Sequence, residues 1–139
     1  MTAYRHEYKH EINTSDFITL SMRLNSALKA DEFARADGAY EITSLYFDDV
    51  YDTALKEKIS GVNCRDKFRL RRYNNDTEHI KLEKKSKRGS LCLKESAAIT
   101  AAQAQSIIGG DIDFLAAQGD VMAELYSAVL VSYNGEYMG

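Results

Sequence analysis

Lysine and arginine recur at every second position in the middle of this chain. Lys67, Arg69 and Arg71 form one run, and Lys81, Lys85 and Lys87, with Glu83 among them, form the next. Glu7 and Lys9 repeat the spacing near the start. In strands, a period of two puts each set on one face of a sheet. Such a face is self-repulsive when exposed and costly when buried, unless a counterion meets it. A polyanion supplies that counterion. Arginine forks match phosphate oxygens two at a time, and lysines add mobile point charges that tolerate variation along a phosphate chain. The carboxylates of Glu7 and Glu83 suit a divalent cation, because Mg²⁺ or Mn²⁺ takes a few carboxylates together with phosphate oxygens. Equally, they can be salt-bridge partners that hold the neighbouring cations in place.

The charge balance agrees with an anionic ligand. The formal net charge is −3, yet residues 64–95 hold eleven Lys or Arg against five Asp or Glu, and no basic residue follows Glu95. Segregation of this kind concentrates attraction for an anion on one part of the surface.

The elements that must carry these residues follow from pattern. Tyr4, Tyr8 and Ile12 alternate with Arg5, Glu7, Lys9 and Glu11 as in a half-buried strand over 4–12. Thr14, Ser15 and Asp16 offer capping oxygens to a helix in which Phe17, Leu20, Leu24 and Leu28 share a face, and Gly38 is its expected end. This amphipathic helix should pack on a neighbour. A second strand is predicted over 40–48, then a short helix capped by Asp52 or Thr53 and ending near Gly61. Phe68 and Leu70 alternate with cations in a strand over 64–73, Asn74-Asn75-Asp76 turns the chain, and 78–87 returns as its partner. After the turn at Arg88-Gly89-Ser90 a fifth strand is predicted over 91–95, then a helix capped by Thr100 and stopped at Gly109-Gly110. One or two further helices are expected over 111–130, and the start of a last strand over 129–133. The fold class is α+β with an antiparallel sheet. Tyr4, Tyr8, Tyr40, Tyr46 and Tyr73 are expected between sheet and helices, and Asp48 and Asp49 to cap the following turn.

Several function classes are weakened. No apolar stretch approaches the roughly 20 residues of a membrane span and no leader is evident, so a cytoplasmic protein is expected. Cys64 and Cys92 have neither zinc-knuckle nor disulfide-framework spacing. His6-Glu7-Tyr8-Lys9-His10 satisfies the zinc-protease pattern, but that chemistry needs a helix and this segment alternates as a strand. RNA binding suits a basic hairpin with aromatic neighbours. Against it stand the acidic remainder and aromatics that alternate away from the cations.

Glu7-Tyr8-Lys9, Ser44-Leu45-Tyr46-Phe47-Asp48, Lys67-Phe68-Arg69-Leu70-Arg71-Arg72-Tyr73 and Lys81-Leu82-Glu83-Lys84-Lys85-Ser86-Lys87 occur in that order. The series resembles the VTC-type polyphosphate polymerase domain of the triphosphate tunnel metalloenzymes, relatives of the CYTH group, over residues 4–95. The resemblance implies a β-tunnel, helices outside, that binds ATP, triphosphate or polyphosphate with Mg²⁺ or Mn²⁺ and moves the γ-phosphoryl group to a growing chain. By position it implies Lys9, Arg69, Arg71, Lys81, Lys85 and Lys94 as phosphate ligands, and Glu7 and Glu83 as metal ligands. A polyphosphate-binding module without catalysis and an inorganic triphosphatase are the alternatives. Family members complete the tunnel with a second half, whereas this chain reaches Gly139. Residues 1–139 are therefore expected to be a single, incomplete tunnel domain, and two copies could complete each other's sheet as a homodimer.

Overall fold

A computed structural model of the protein describes residues 3–32, 34–49, 51–119 and 122–127. The expected strand over 129–133 lies outside the described residues. Five antiparallel strands form one open sheet: β1 (Arg5–His6), β2 (Ile42–Tyr46), β3 (Cys64–Tyr73), β4 (Ile80–Arg88) and β5 (Leu91–Ile99), in the order β1-β5-β4-β3-β2. The mixed fold and antiparallel sheet are as expected. The sheet does not close among the described residues, with β1 and β2 at its edges.

The central hairpins set the frame. Arg69 lies opposite Glu83 and Arg71 opposite Lys81, while Glu83 lies opposite Ser96 and Lys85 opposite Lys94. Gly89, at φ +61°, occupies the two-residue turn between β4 and β5, a left-handed conformation that glycine adopts without strain. Asn74 and Asn75 take positive φ in the β3–β4 turn. Asn74 also binds the β2 side: its N–H donates to the Glu41 carbonyl at 2.8 Å, and its side-chain oxygen accepts from the Glu41 N–H at 3.0 Å.

One face of the sheet is the core. Leu70, Ile80, Leu82 and Ile99 meet Ala104 and Ile107 of helix α3 (Ala101–Ile108), then Ile112, Leu115, Met122 and Leu125. Thr100 caps α3 as expected, accepting from the Gln103 N–H at 3.1 Å while Gln103 returns a bond to the Thr100 N–H. Leu115 belongs to a 3₁₀ turn, Asp113–Ala117, and Met122 and Leu125 to a helical segment at 122–127. Lys84 also points to this side, where it pairs with Asp66, Glu95 and Glu124 and so ties the segment at 122–127 to the sheet.

Several boundaries move. The predicted strand over 4–12 is ordered as a ladder only at Arg5 and His6, opposite Cys92 and Leu91. Continued in that register, Glu7 would face Ser90 in the β4–β5 turn, so the partner strand has run out. β5 extends to Ile99 rather than 95 because every residue from Leu91 onward stays in register with β4; Ala97 and Ala98 hide that from propensity. The first helix, α1 (Thr14–Ala27), stops well before Gly38, with Leu28 extended at φ −123°. Asn13 is its N-cap, accepting from the Asp16 N–H at 2.9 Å. None of its residues is buried, and Phe17 is 60% and Leu24 51% exposed, so the expected packing of its apolar face is not found among the described residues. Helix α2 (Thr53–Ile59) is capped by neither Asp52 nor Thr53 side chains: Asp48 accepts from the Ala54 and Leu55 N–H groups, and Asp49 from those of Tyr51 and Thr53. Asp48 and Asp49 thus do the capping expected of them.

Candidate functional site

The face opposite the core gathers the cations. Register places Arg65, Lys67, Arg69 and Arg71 of β3 beside Lys81, Lys85 and Lys87 of β4, with Lys94 of β5 next in line. Glu83 is the only acid on this face among the described strand residues. Its side chain is 1% exposed, with Arg69, Lys94 and Arg71 gathered against it.

Arg69 donates from Nε to Glu83 Oε2 at 2.6 Å, its Nη2 lies at the same distance from that oxygen, and its Nη1 donates to Tyr46 Oη at 2.9 Å. Lys94 reaches Glu83 Oε1 at 3.4 Å, and Arg71 Nε stands 4.0 Å from Oε2 while donating to Ser44 Oγ at 3.1 Å. Three strands therefore meet at one carboxylate, and β2 joins through the arginines. Burial acts to raise the Glu83 pKa, but the hydrogen bond and charge of Arg69, with Lys94 and Arg71, hold it below the ordinary glutamate value. For Arg69 burial works against the charge, and Tyr46 and Glu83 outweigh it, so the guanidinium is held above its ordinary value.

A second group sits toward the β4–β5 turn. Glu7 pairs with Lys9 at 3.3 Å and with Lys85 at 3.5 Å. The bond from Lys9 and the charge of Lys85 lower the Glu7 pKa. The Lys9 side chain is otherwise 83% exposed. The predicted residues thus divide: Arg69, Arg71, Glu83 and Lys94 converge, Lys81 lies directly opposite Arg71, and Glu7, Lys9 and Lys85 form the second group.

The donor set speaks against a metal at Glu83. One carboxylate oxygen is taken by a buried arginine fork and the other by Lys94, so a divalent cation there would face three positive charges. Glu7 is likewise held by lysines, and no group of three or more His, Cys, Asp or Glu suited to a metal occurs among the described residues. The two glutamates do not fit a shared Mg²⁺ or Mn²⁺ site, and their geometry is that of counterions.

Tyr46 and Ser44 were not foreseen as partners of the arginines. The signal was their parity in β2, but only the β2–β3 register, Tyr46 opposite Arg69 and Ser44 opposite Arg71, turns parity into contact. The aromatic pattern also needs correction. Phe68 packs against the core, but Tyr46 and Tyr73 share the basic face, and Arg69 lies over the Tyr46 ring at 5.7 Å. Tyr4, Tyr8, Tyr40 and Tyr46 are exposed rather than enclosed between sheet and helices. His6 lies in β1 and the residues after it are not helical, so His6 and His10 are not one helical turn apart as a zinc protease requires. Cys64, opposite Arg88, and Cys92, opposite Lys87, fall on different faces and are free thiols. Among the described residues no helix is long and apolar enough to cross a membrane.

A family model described as the VTC domain matches residues 4–134. No curated protein matches the chain.

Proposed function

Since the chain belongs to the VTC domain family, which ties it to polyphosphate, we propose that its basic sheet face binds a linear phosphate chain, as free triphosphate, polyphosphate or the triphosphate of ATP. The observation that carries this reading is the convergence of Arg69, Arg71 and Lys94 on the buried acid Glu83, with Lys81 beside Arg71. One carboxylate cannot neutralise that many cations, and the residual positive charge is fixed in place before any ligand arrives. Fixed donors of this kind hold phosphate without reorganising, and they stabilise charge on equatorial oxygens during phosphoryl transfer.

Transfer of the ATP γ-phosphoryl group to a polyphosphate chain, in the cytoplasm, is the activity this site would serve, with the protein supplying position and charge. It requires that the sheet be completed into a tunnel, for which pairing of two copies across β1 and β2, the edges of the sheet among the described residues, is one route. The alternatives are a non-catalytic polyphosphate binder and a triphosphatase. Displacement decides the ligand class: tripolyphosphate should compete far better than single-stranded RNA of equal phosphate count, and equal competition would defeat the reading. Mg²⁺- or Mn²⁺-dependent incorporation of labelled γ-phosphate into acid-insoluble chains, its release as orthophosphate, or neither, then separates polymerase, hydrolase and binder.

A further inference from the structure

Beyond Arg71 the basic face changes character. The next same-face residue of β3 is Tyr73, and Ile42 stands directly opposite it in β2. Tyr40, just before β2, meets Tyr73 edge-on, with ring centroids 5.7 Å apart and planes at 63°. The ring quadrupoles favour pairs of this kind. An edge-on contact leaves at least one flat face of Tyr40 unused by Tyr73, and Tyr40 and Ile42 are both exposed. The corner is also held in place. Asn74, the residue after Tyr73, donates its N–H to the Glu41 carbonyl at 2.8 Å and accepts from the Glu41 N–H at 3.0 Å, and Glu41 is the residue after Tyr40. Tyr46, by contrast, is committed to Arg69 through both its ring and its hydroxyl oxygen. A fixed, exposed aromatic surface at the end of a row of cations suits a ligand that is flat and uncharged at one end and polyanionic at the other.

We infer that Tyr40, braced by Tyr73, is a stacking platform for the base of a nucleoside triphosphate whose phosphates lie on Arg71 and Lys81. The inference rests on the proposed phosphate-chain reading, and it narrows the ligand from any phosphate chain to one that carries a nucleoside. Spacing supports it. Same-face residues recur about every 6.6 Å along a strand, so Arg71 stands one such step from Tyr73, and Arg69 two. One step is close to the separation of a base from its own 5′ phosphates across the ribose, so a single nucleotide can touch the aromatic corner and the first cations together. Stacking of this kind accepts any base, because every base offers a flat π face.

Calorimetric titration of the intact protein with ATP and, separately, with tripolyphosphate tests the platform. Tyr40→Ala should weaken ATP binding about tenfold, the weight of one base–aromatic stack. Tripolyphosphate affinity should stay as it was, which also verifies that the variant is folded, and Tyr40→Phe should restore ATP binding. A second readout needs no variant: in NMR of the unaltered protein, saturation of the tyrosine ring protons should pass to the base protons of ATP. Unchanged ATP affinity in Tyr40→Ala, or no transfer to the base in the unaltered protein, overturns the platform and leaves the phosphate-chain reading standing. Failure of the unaltered protein to bind either ligand overturns both.

Discussion

Glu83 Oε2 lies 2.6 Å from both Nε and Nη2 of Arg69, so a single carboxylate oxygen holds the guanidinium fork of the neighbouring strand. Both side chains are nearly inaccessible, 9% exposed for Arg69 and 1% for Glu83. Since Lys94 approaches the other oxygen, Glu83 binds the cations of β3 and β5 to β4 and fixes the spacing of the charges around it.

Removing one partner of such a pair is costly because the other is left buried and charged, typically by about 3–5 kcal/mol. Glu83→Ala should therefore destabilise the protein by about 3 kcal/mol in urea unfolding, considerably more than Glu7→Ala, whose ion pairs are more exposed. Equal stability of the two variants would deny Glu83 its structural role.

The same pair makes stability fall in acid. Glu83 is held below its ordinary pKa by Arg69, Lys94 and Arg71 against the opposing effect of burial, and Asp66 is lowered by Arg88, Ser86 and Lys84 against the same effect. A carboxyl whose folded pKa is depressed binds fewer protons folded than unfolded. Its contribution is therefore complete above the unfolded pKa, near 4 for these groups, and is lost as pH falls through the lower folded value. Unfolding free energy should decline from about pH 5 downward, and Glu83→Gln should flatten that decline. An unchanged slope in Glu83→Gln would show that the group does not carry the linkage.

The two arginines of the Arg-x-Arg run should differ. Arg69 is committed to Glu83 and Tyr46, whereas Arg71 donates to Ser44 and stands back from Glu83 at 4.0 Å. Arg71→Ala should weaken tripolyphosphate binding by about 1.5–3 kcal/mol, the range for a charge-assisted hydrogen bond, with little change in stability. Arg69→Ala should lower both affinity and stability. Calorimetric titration beside urea unfolding checks this; an Arg71→Ala variant with unaltered affinity removes Arg71 from the site.

How much of this was legible in sequence depends on the range of the interaction. β3 was found at its true limits because Phe68 and Leu70 alternate with cations within one short window. The caps at Asp48, Asp49 and Thr100 were legible for the same reason. Lengths set by a partner were not: β1 ends where the β4–β5 turn begins, and β5 continues through Ala97 and Ala98 because β4 is still opposite. α1 ends at Ala27 with no glycine or proline to announce it, although Asp31 and Glu32 just beyond are unfavourable near a helix C-terminus. The cations were found as a set by parity alone. That Arg69 and Lys94 would close on the two oxygens of Glu83 depends on three-dimensional distances, as does the part played by Tyr46.

If Glu83 is a counterion, binding and metal should separate. The carboxylate oxygens that a divalent ion would need are occupied by Arg69 and Lys94. Tripolyphosphate should therefore bind as tightly in the presence of a chelator as without it, as measured by calorimetric titration of chelator-treated protein. A collapse of affinity on chelation, restored by Mg²⁺ or Mn²⁺, would return Glu83 or Glu7 to the role of metal ligand.

The apolar side of α1 gives the last prediction. Phe17, Leu20, Leu24 and Leu28 follow helical spacing, yet each remains substantially exposed and no residue of the helix is buried. Burying a leucine is worth about 1.5–3 kcal/mol, so a Leu24 packed within the monomer would make Leu24→Glu severely destabilising. At 51% exposure it should instead cost no more than about 0.5 kcal/mol, the ordinary range for a surface change. Urea unfolding at concentrations where sedimentation shows a monomer measures this directly. A loss of several kcal/mol under those conditions would mean that α1 packs within its own chain.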